Sequence, residues 1–131
     1  MSAIALNKPL MRFISPRVHG IIDYLVVVFL LASPIYFGLT GLLATFTYAL
    51  AFVHLLLTIL TDYAPGIFKL IPFQVHGAIE LLVGVILISL AYTLFNDKPD
   101  GKLFYVIFGT YLLLTWLVTD YRGTASAIKT A

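Results

Sequence analysis

Val18-His19-Gly20-Ile21-Ile22-Asp23-Tyr24-Leu25-Val26-Val27-Val28 returns 57 residues later as Val75-His76-Gly77-Ala78-Ile79-Glu80-Leu81-Leu82-Val83-Gly84-Val85, with seven of the eleven positions identical. Apolar identities come cheaply in such segments. A His-Gly pair with a carboxylate four residues after the His does not. The ends of the following apolar stretches match as well. His54-Leu55-Leu56-Leu57-Thr58 parallels Tyr111-Leu112-Leu113-Leu114-Thr115, and Thr61-Asp62-Tyr63 parallels Thr119-Asp120-Tyr121 after one inserted residue. The chain therefore reads as a duplication, with one copy at about 15–63 and a second at about 72–121.

Each copy contains two apolar stretches. The four run at about 18–37, 42–61, 75–95 and 103–119, close to the roughly 20 residues that cross a hydrocarbon core as a helix. Their continuity is unlike the alternation of barrel strands, and only helices and closed barrels satisfy their backbone in lipid. The expected fold is an all-α integral membrane four-helix bundle, a single transmembrane domain over 1–131. Each copy holds an even number of spans, so both enter the membrane from one side. Two tandem hairpins then relate by a pseudo-two-fold axis along the membrane normal.

Composition agrees. Of 131 residues, 61% are hydrophobic and 11% charged, with mean hydropathy +1.03, whereas soluble domains carry about 25% charged residues. A chain this short cannot hide so much apolar surface in a soluble fold. That excludes a soluble enzyme and a disordered chain. The net charge of +2 rests on eight scattered Lys and Arg, which excludes a nucleic-acid partner. With no Cys, thiolate chemistry and disulfides are out.

Ser15-Pro16 and Pro72 read as helix starts, Gly38 to Gly41 as a tight turn, and 96–101 as a polar turn. Lys8, Arg12, Arg17, Lys69, Arg122 and Lys129 fall on one side, and Lys98 and Lys102 on the other. That split predicts cytoplasmic termini. The first ten residues lack the pattern of a signal peptide; they form an extension, or Met11 is the start.

Asp23 and Glu80 are the two carboxylates well inside the spans, each on one helix face with the His four residues earlier. At 1.5 Å rise per residue, both lie roughly 10 Å deep, close to His54 and Tyr111 on the second helix of each copy. His19, Asp23, His54, His76 and Glu80 are therefore the candidate site, with Tyr111, Thr58, Thr115, Gly20 and Gly77 supporting it. A carboxylate at mid-span costs about 2.5–3.5 kcal/mol on insertion scales, and such residues mark function by default. The His/carboxylate set suits a transition metal ion (Zn, Fe, Mn or Ni) or a proton relay. Bis-His haem through His19 and His76 is a weaker reading, since two acids lie one turn away. The structural alternative is a scaffold or accessory subunit whose cluster only holds helices together. Nothing points to catalysis, and no nucleophile or nucleotide motif is present. The bilayer is the expected partner, with a homo-oligomer also open.

Residues Ile14-Ser15-Pro16-Arg17-Val18-His19-Gly20-Ile21-Ile22-Asp23-Tyr24-Leu25 and Leu31-Ala32-Ser33-Pro34-Ile35-Tyr36-Phe37-Gly38 resemble the SPW-repeat family of small bacterial membrane proteins. Ser33-Pro34 matches the family's motif, Ile35 stands in place of its Trp, and Leu90-Ala91-Tyr92 of the second copy lacks the motif. The resemblance implies a duplicated two-helix unit in a bacterial inner (cytoplasmic) membrane. It carries no established activity and no site residue.

Overall fold

The computed structural model describes residues 12–123. The 1–10 segment, Lys8 and Lys129 lie outside that range. Four helices follow in order: α1 (Pro16–Tyr36), α2 (Gly41–Leu60), α3 (Phe73–Tyr92) and α4 (Pro99–Val118). All four are long and apolar enough to cross a membrane. Twenty residues at 1.5 Å each make about 30 Å, the thickness of the hydrocarbon core. Side chains such as Leu25, Phe52, Leu82 and Leu103 project outward, which would be costly in water and is neutral in lipid.

α1 begins as read, with Ser15 as N-cap accepting from the Val18 N–H and Pro16 in the first turn. Gly38 (φ 65°) and Gly41 (φ 57°) supply the left-handed conformations that turn α1 into α2. The second hairpin corrects two boundaries. α3 stops at Tyr92 rather than near 95, because the chain turns there through Phe95 N–H to the Leu90 carbonyl, 3.0 Å. Phe95 is apolar because it is a fully buried core residue stacked on Tyr105, not because it spans. α4 starts at Pro99 rather than 103. Proline needs no N–H partner at N1, and Asp100 in the first turn suits the helix dipole.

α1 packs along α2 and α3 along α4. The second pair meets backbone to backbone at Gly84 and Gly109. A Cβ on Gly109 would lie 2.9 Å from the Gly84 carbonyl oxygen and 2.7 Å from Ile88 Cγ1. Small residues at such crossings are how helices gain packing in lipid, where water drives nothing together.

Two short extended contacts tie the hairpins to each other at the end where α1 begins and α4 finishes. β1 (Thr61–Asp62) pairs in parallel with β2 (Ile71–Pro72). Ile14 bridges Thr119, with Ile14 N–H on the Val118 carbonyl and Asp120 N–H on the Ile14 carbonyl, 3.0 and 2.9 Å. Each contact joins the start of one hairpin to the finish of the other. At this end α1 and α3 converge, His19 and His76 rings lying 5.3 Å apart. At the opposite end α2 and α4 converge, where the Thr47 and Tyr105 hydroxyls hydrogen-bond.

The Gly84–Gly109 crossing leaves no room for a side chain. Gly109→Leu should lower stability by about 1–3 kcal/mol through overpacking, read as a drop in the thermal midpoint in detergent. An unchanged midpoint would mean that α3 and α4 do not pack there.

Candidate metal centre

Sequence spacing puts His19 and Asp23 on one face of α1, and His76 and Glu80 on one face of α3. The fold turns those faces toward each other. All four side chains are buried, with His19 and His76 fully so. His19 Nε2 lies 3.3 Å from Asp23 Oδ1 and 3.2 Å from Glu80 Oε2. His76 Nε2 lies 3.4 Å from Asp23 Oδ2 and 3.7 Å from Glu80 Oε1. Each imidazole thus faces both carboxylates, one from its own hairpin and one from the other. Donor atoms from all four residues fall within 4.8 Å of one another. His54 on α2 joins from the side, its Nε2 3.6 Å from Asp23 Oδ1.

The far nitrogens of the two rings decide their tautomers. His19 Nδ1 is 2.8 Å from Thr119 Oγ1, and His76 Nδ1 is 2.8 Å from Thr61 Oγ1. Each threonine already donates its one hydroxyl proton to a carbonyl a turn earlier: Thr119 to Thr115 and Thr61 to Leu57, both 2.6 Å. Their oxygens can only accept. The imidazoles therefore carry a proton on Nδ1 and turn Nε2 toward the carboxylates, the orientation of metal-ligating histidines whose second nitrogen is held. The Nε2 atoms of His19, His54 and His76 make no hydrogen bond among the described residues.

The carboxylates are held from the same end. Tyr63 donates to Asp23 Oδ2 at 2.6 Å and Tyr121 to Glu80 Oε2 at 2.7 Å. Burial, and then the charge of the facing carboxylate, pushes both phenols well above their ordinary range, so they remain donors. With Phe73, which packs edge-on to His19 at 5.2 Å, they close the cluster from that end of the bundle.

The glycines after the two histidines make room for this closure rather than for a ligand. A Cβ on Gly77 would lie 2.6 Å from the Tyr121 ring, and one on Gly20 2.6 Å from Pro65. Thr58 is buried, its hydroxyl on the His54 carbonyl at 2.7 Å. Thr115 contributes the carbonyl that orients Thr119. Tyr111 lies near both carboxylates with its hydroxyl beside Thr115; 37% exposed, it also lines a groove between α1 and α4. Thr61, Tyr63, Thr119 and Tyr121 were not among the candidates from sequence. Their signal was the repeated Thr-Asp-Tyr, whose middle residues differ in environment: Asp62 is exposed and Asp120 buried.

Compared with protein-family models, with curated proteins and with solved structures, the chain matches none.

The tautomer assignment is directly measurable. In 15N spectra of histidine-labelled protein, His19 and His76 should show a protonated Nδ1; an Nδ1 without a proton would contradict it. Thr119→Val leaves the His19 Nδ1–H without an acceptor, a cost of about 1–3 kcal/mol. That loss should appear as reduced thermal stability, where an unchanged midpoint would show the Thr119 contact to be dispensable.

Proposed function

We propose that this protein is a multi-pass bacterial inner-membrane protein that holds a divalent transition-metal ion near the cytoplasmic face. The ligands are His19, His76, Asp23 and Glu80, with His54 as a further donor. The observation that carries this reading is the set of three buried Nε2 atoms without hydrogen bonds, aimed at two carboxylates. Their separations support it. Two donors each about 2.1 Å from a tetrahedral ion stand about 3.4 Å apart; the nitrogen–oxygen separations here are 3.2 to 3.7 Å, longer than most N–H···O hydrogen bonds. A divalent ion also neutralises two buried carboxylates, which otherwise carry a heavy desolvation cost. Mixed imidazole and carboxylate donors fit Zn, Fe, Mn or Ni.

Proton relay across the membrane receives less support. The first buried side chains beyond the cluster, Val26, Leu30, Ala51, Leu87 and Leu112, are apolar, and the next buried hydroxyls, Ser33, Thr47 and Tyr105, lie about two helical turns or more from it. Haem receives less still, since Asp23 and Glu80 oxygens lie within 3.2–3.7 Å of the axial nitrogens, where a macrocycle would have to pass. The tandem-hairpin reading is supported by contacts that recur in pairs: His–Thr, Tyr–carboxylate and the two extended bridges. Cytoplasmic termini rest on the bias of basic residues, and kinship with the SPW-repeat proteins rests on Ser33-Pro34 and the two-helix unit.

The test is elemental mass spectrometry on detergent-purified protein made without a His tag, before and after incubation with Zn²⁺ or Mn²⁺. One ion per chain is expected, absent in His76→Ala and Glu80→Gln. Thr119→Val should retain the site with roughly 10- to 100-fold weaker affinity. Well-folded protein that takes up no metal would refute the proposal and leave the cluster as glue between hairpins. In that case Asp23→Asn with Glu80→Gln would alter stability alone.

A further inference from the structure

Between α1 and α4 runs a groove of about 660 Å³ that the metal reading does not use. Its size is typical of a small-molecule site, and it lies within the stretch of helix that crosses the bilayer. At one end is Ile22, the chain neighbour of Asp23; at the other is Asp100, in the first turn of α4. Among the described residues, Tyr111 and Asp100 are the polar side chains lining it. The eleven residue steps from Asp100 to Tyr111 along α4 give a length of roughly 16 Å.

The wall has a definite character. Down α4, Phe104 and Phe108 lie 20° from parallel with centroids 6.1 Å apart, and Phe108 and Tyr111 repeat that geometry. From α1, Phe29 adds a ring 11° from parallel with Phe104, at 6.0 Å. Such a series of near-parallel rings along the groove wall suits another flat ring added in offset stacking. Its deep end carries a phenol, a hydrogen-bond donor for a carbonyl oxygen. The corresponding position in the first hairpin is His54, which turns into the cluster; Tyr111 stands between the cluster and the groove, its hydroxyl beside Thr115.

We propose that this groove binds a lipid-soluble quinone-class molecule from the bilayer. Its ring lies against Phe108 and Tyr111, a ring carbonyl accepts from the Tyr111 hydroxyl, and its hydrocarbon tail runs past Phe104 and Phe29 toward Asp100. A carbonyl acceptor selects the Tyr111 end. An amine-headed phospholipid would select the Asp100 end instead, by charge. Binding in the groove requires no ion in the cluster, so it stands or falls separately from the metal centre.

The experiment uses the full chain in phosphatidylcholine nanodiscs with a photoreactive azido-benzoquinone carrying a ten-carbon tail. Unlabelled decylubiquinone competes, and the labelled residues are mapped by mass spectrometry. Expected is saturable labelling of the α4 segment from Leu103 to Tyr111, competed by decylubiquinone but not by decanol. Tyr111→Phe should weaken competition by about five- to tenfold, the loss of one hydrogen bond, with an unchanged thermal midpoint; Asp100→Asn should leave it as in the wild type. Non-saturating label spread over lipid-facing side chains would overturn the proposal. So would equal competition by decanol, or sensitivity to Asp100→Asn but not to Tyr111→Phe, which would make the occupant an ordinary lipid.

Discussion

A threonine hydroxyl has a single proton, and in Thr61 and Thr119 that proton is committed to a helix carbonyl one turn earlier. The rest of the centre depends on this constraint. It makes each hydroxyl oxygen an obligatory acceptor, holds a proton of His19 and His76 on Nδ1, and turns Nε2 toward the carboxylates. Because each threonine stands at the finish of one hairpin and its histidine near the start of the other, the same bond joins the hairpins and sets the chemistry of the site. Docking of the two hairpins and orientation of the donors are a single event.

The bilayer makes that arrangement consequential. Lipid provides no water to satisfy a stray carboxylate, so Asp23 and Glu80 must be met from within the bundle. Tyr63 and Tyr121 meet them from one side and the imidazoles from the other. Away from the cluster the interior is ordinary membrane-protein packing, with the close glycine crossing of α3 and α4 and an aromatic group around Phe95 and Tyr105. The polar and apolar halves of the core are therefore distinct: one specifies how the hairpins meet, the other fills space.

The pairing of contacts is not complete, and its breaks are informative. His54 faces the cluster, while Tyr111, 57 residues later, borders the α1–α4 groove. One hairpin thus adds a donor to the centre, and the other opens a lipid-facing surface beside it. Asp62 and Asp120 diverge similarly, one exposed and one buried with its carboxylate on the Arg122 N–H.

Much was legible from the chain itself. Hydropathy and length mark four spans, because the cost of exposing backbone to lipid admits few alternatives. The i, i+4 spacing of His19 with Asp23 and of His76 with Glu80 puts each pair on one face, because the helical repeat is a local property. Helix ends were less legible: Phe95 is as apolar as a spanning residue, and only its packing on Tyr105 assigns it to a turn. Tyr63 and Tyr121 stand outside the spans, and no local pattern says that a residue 40 or 41 positions away will reach back to a buried acid. Composition and periodicity by themselves determined the membrane bundle and the residues that line its polar face. Only the tertiary structure decided which histidine meets which threonine, and hence which nitrogen faces the carboxylates, because that depends on contacts between hairpins that no spacing along one helix encodes.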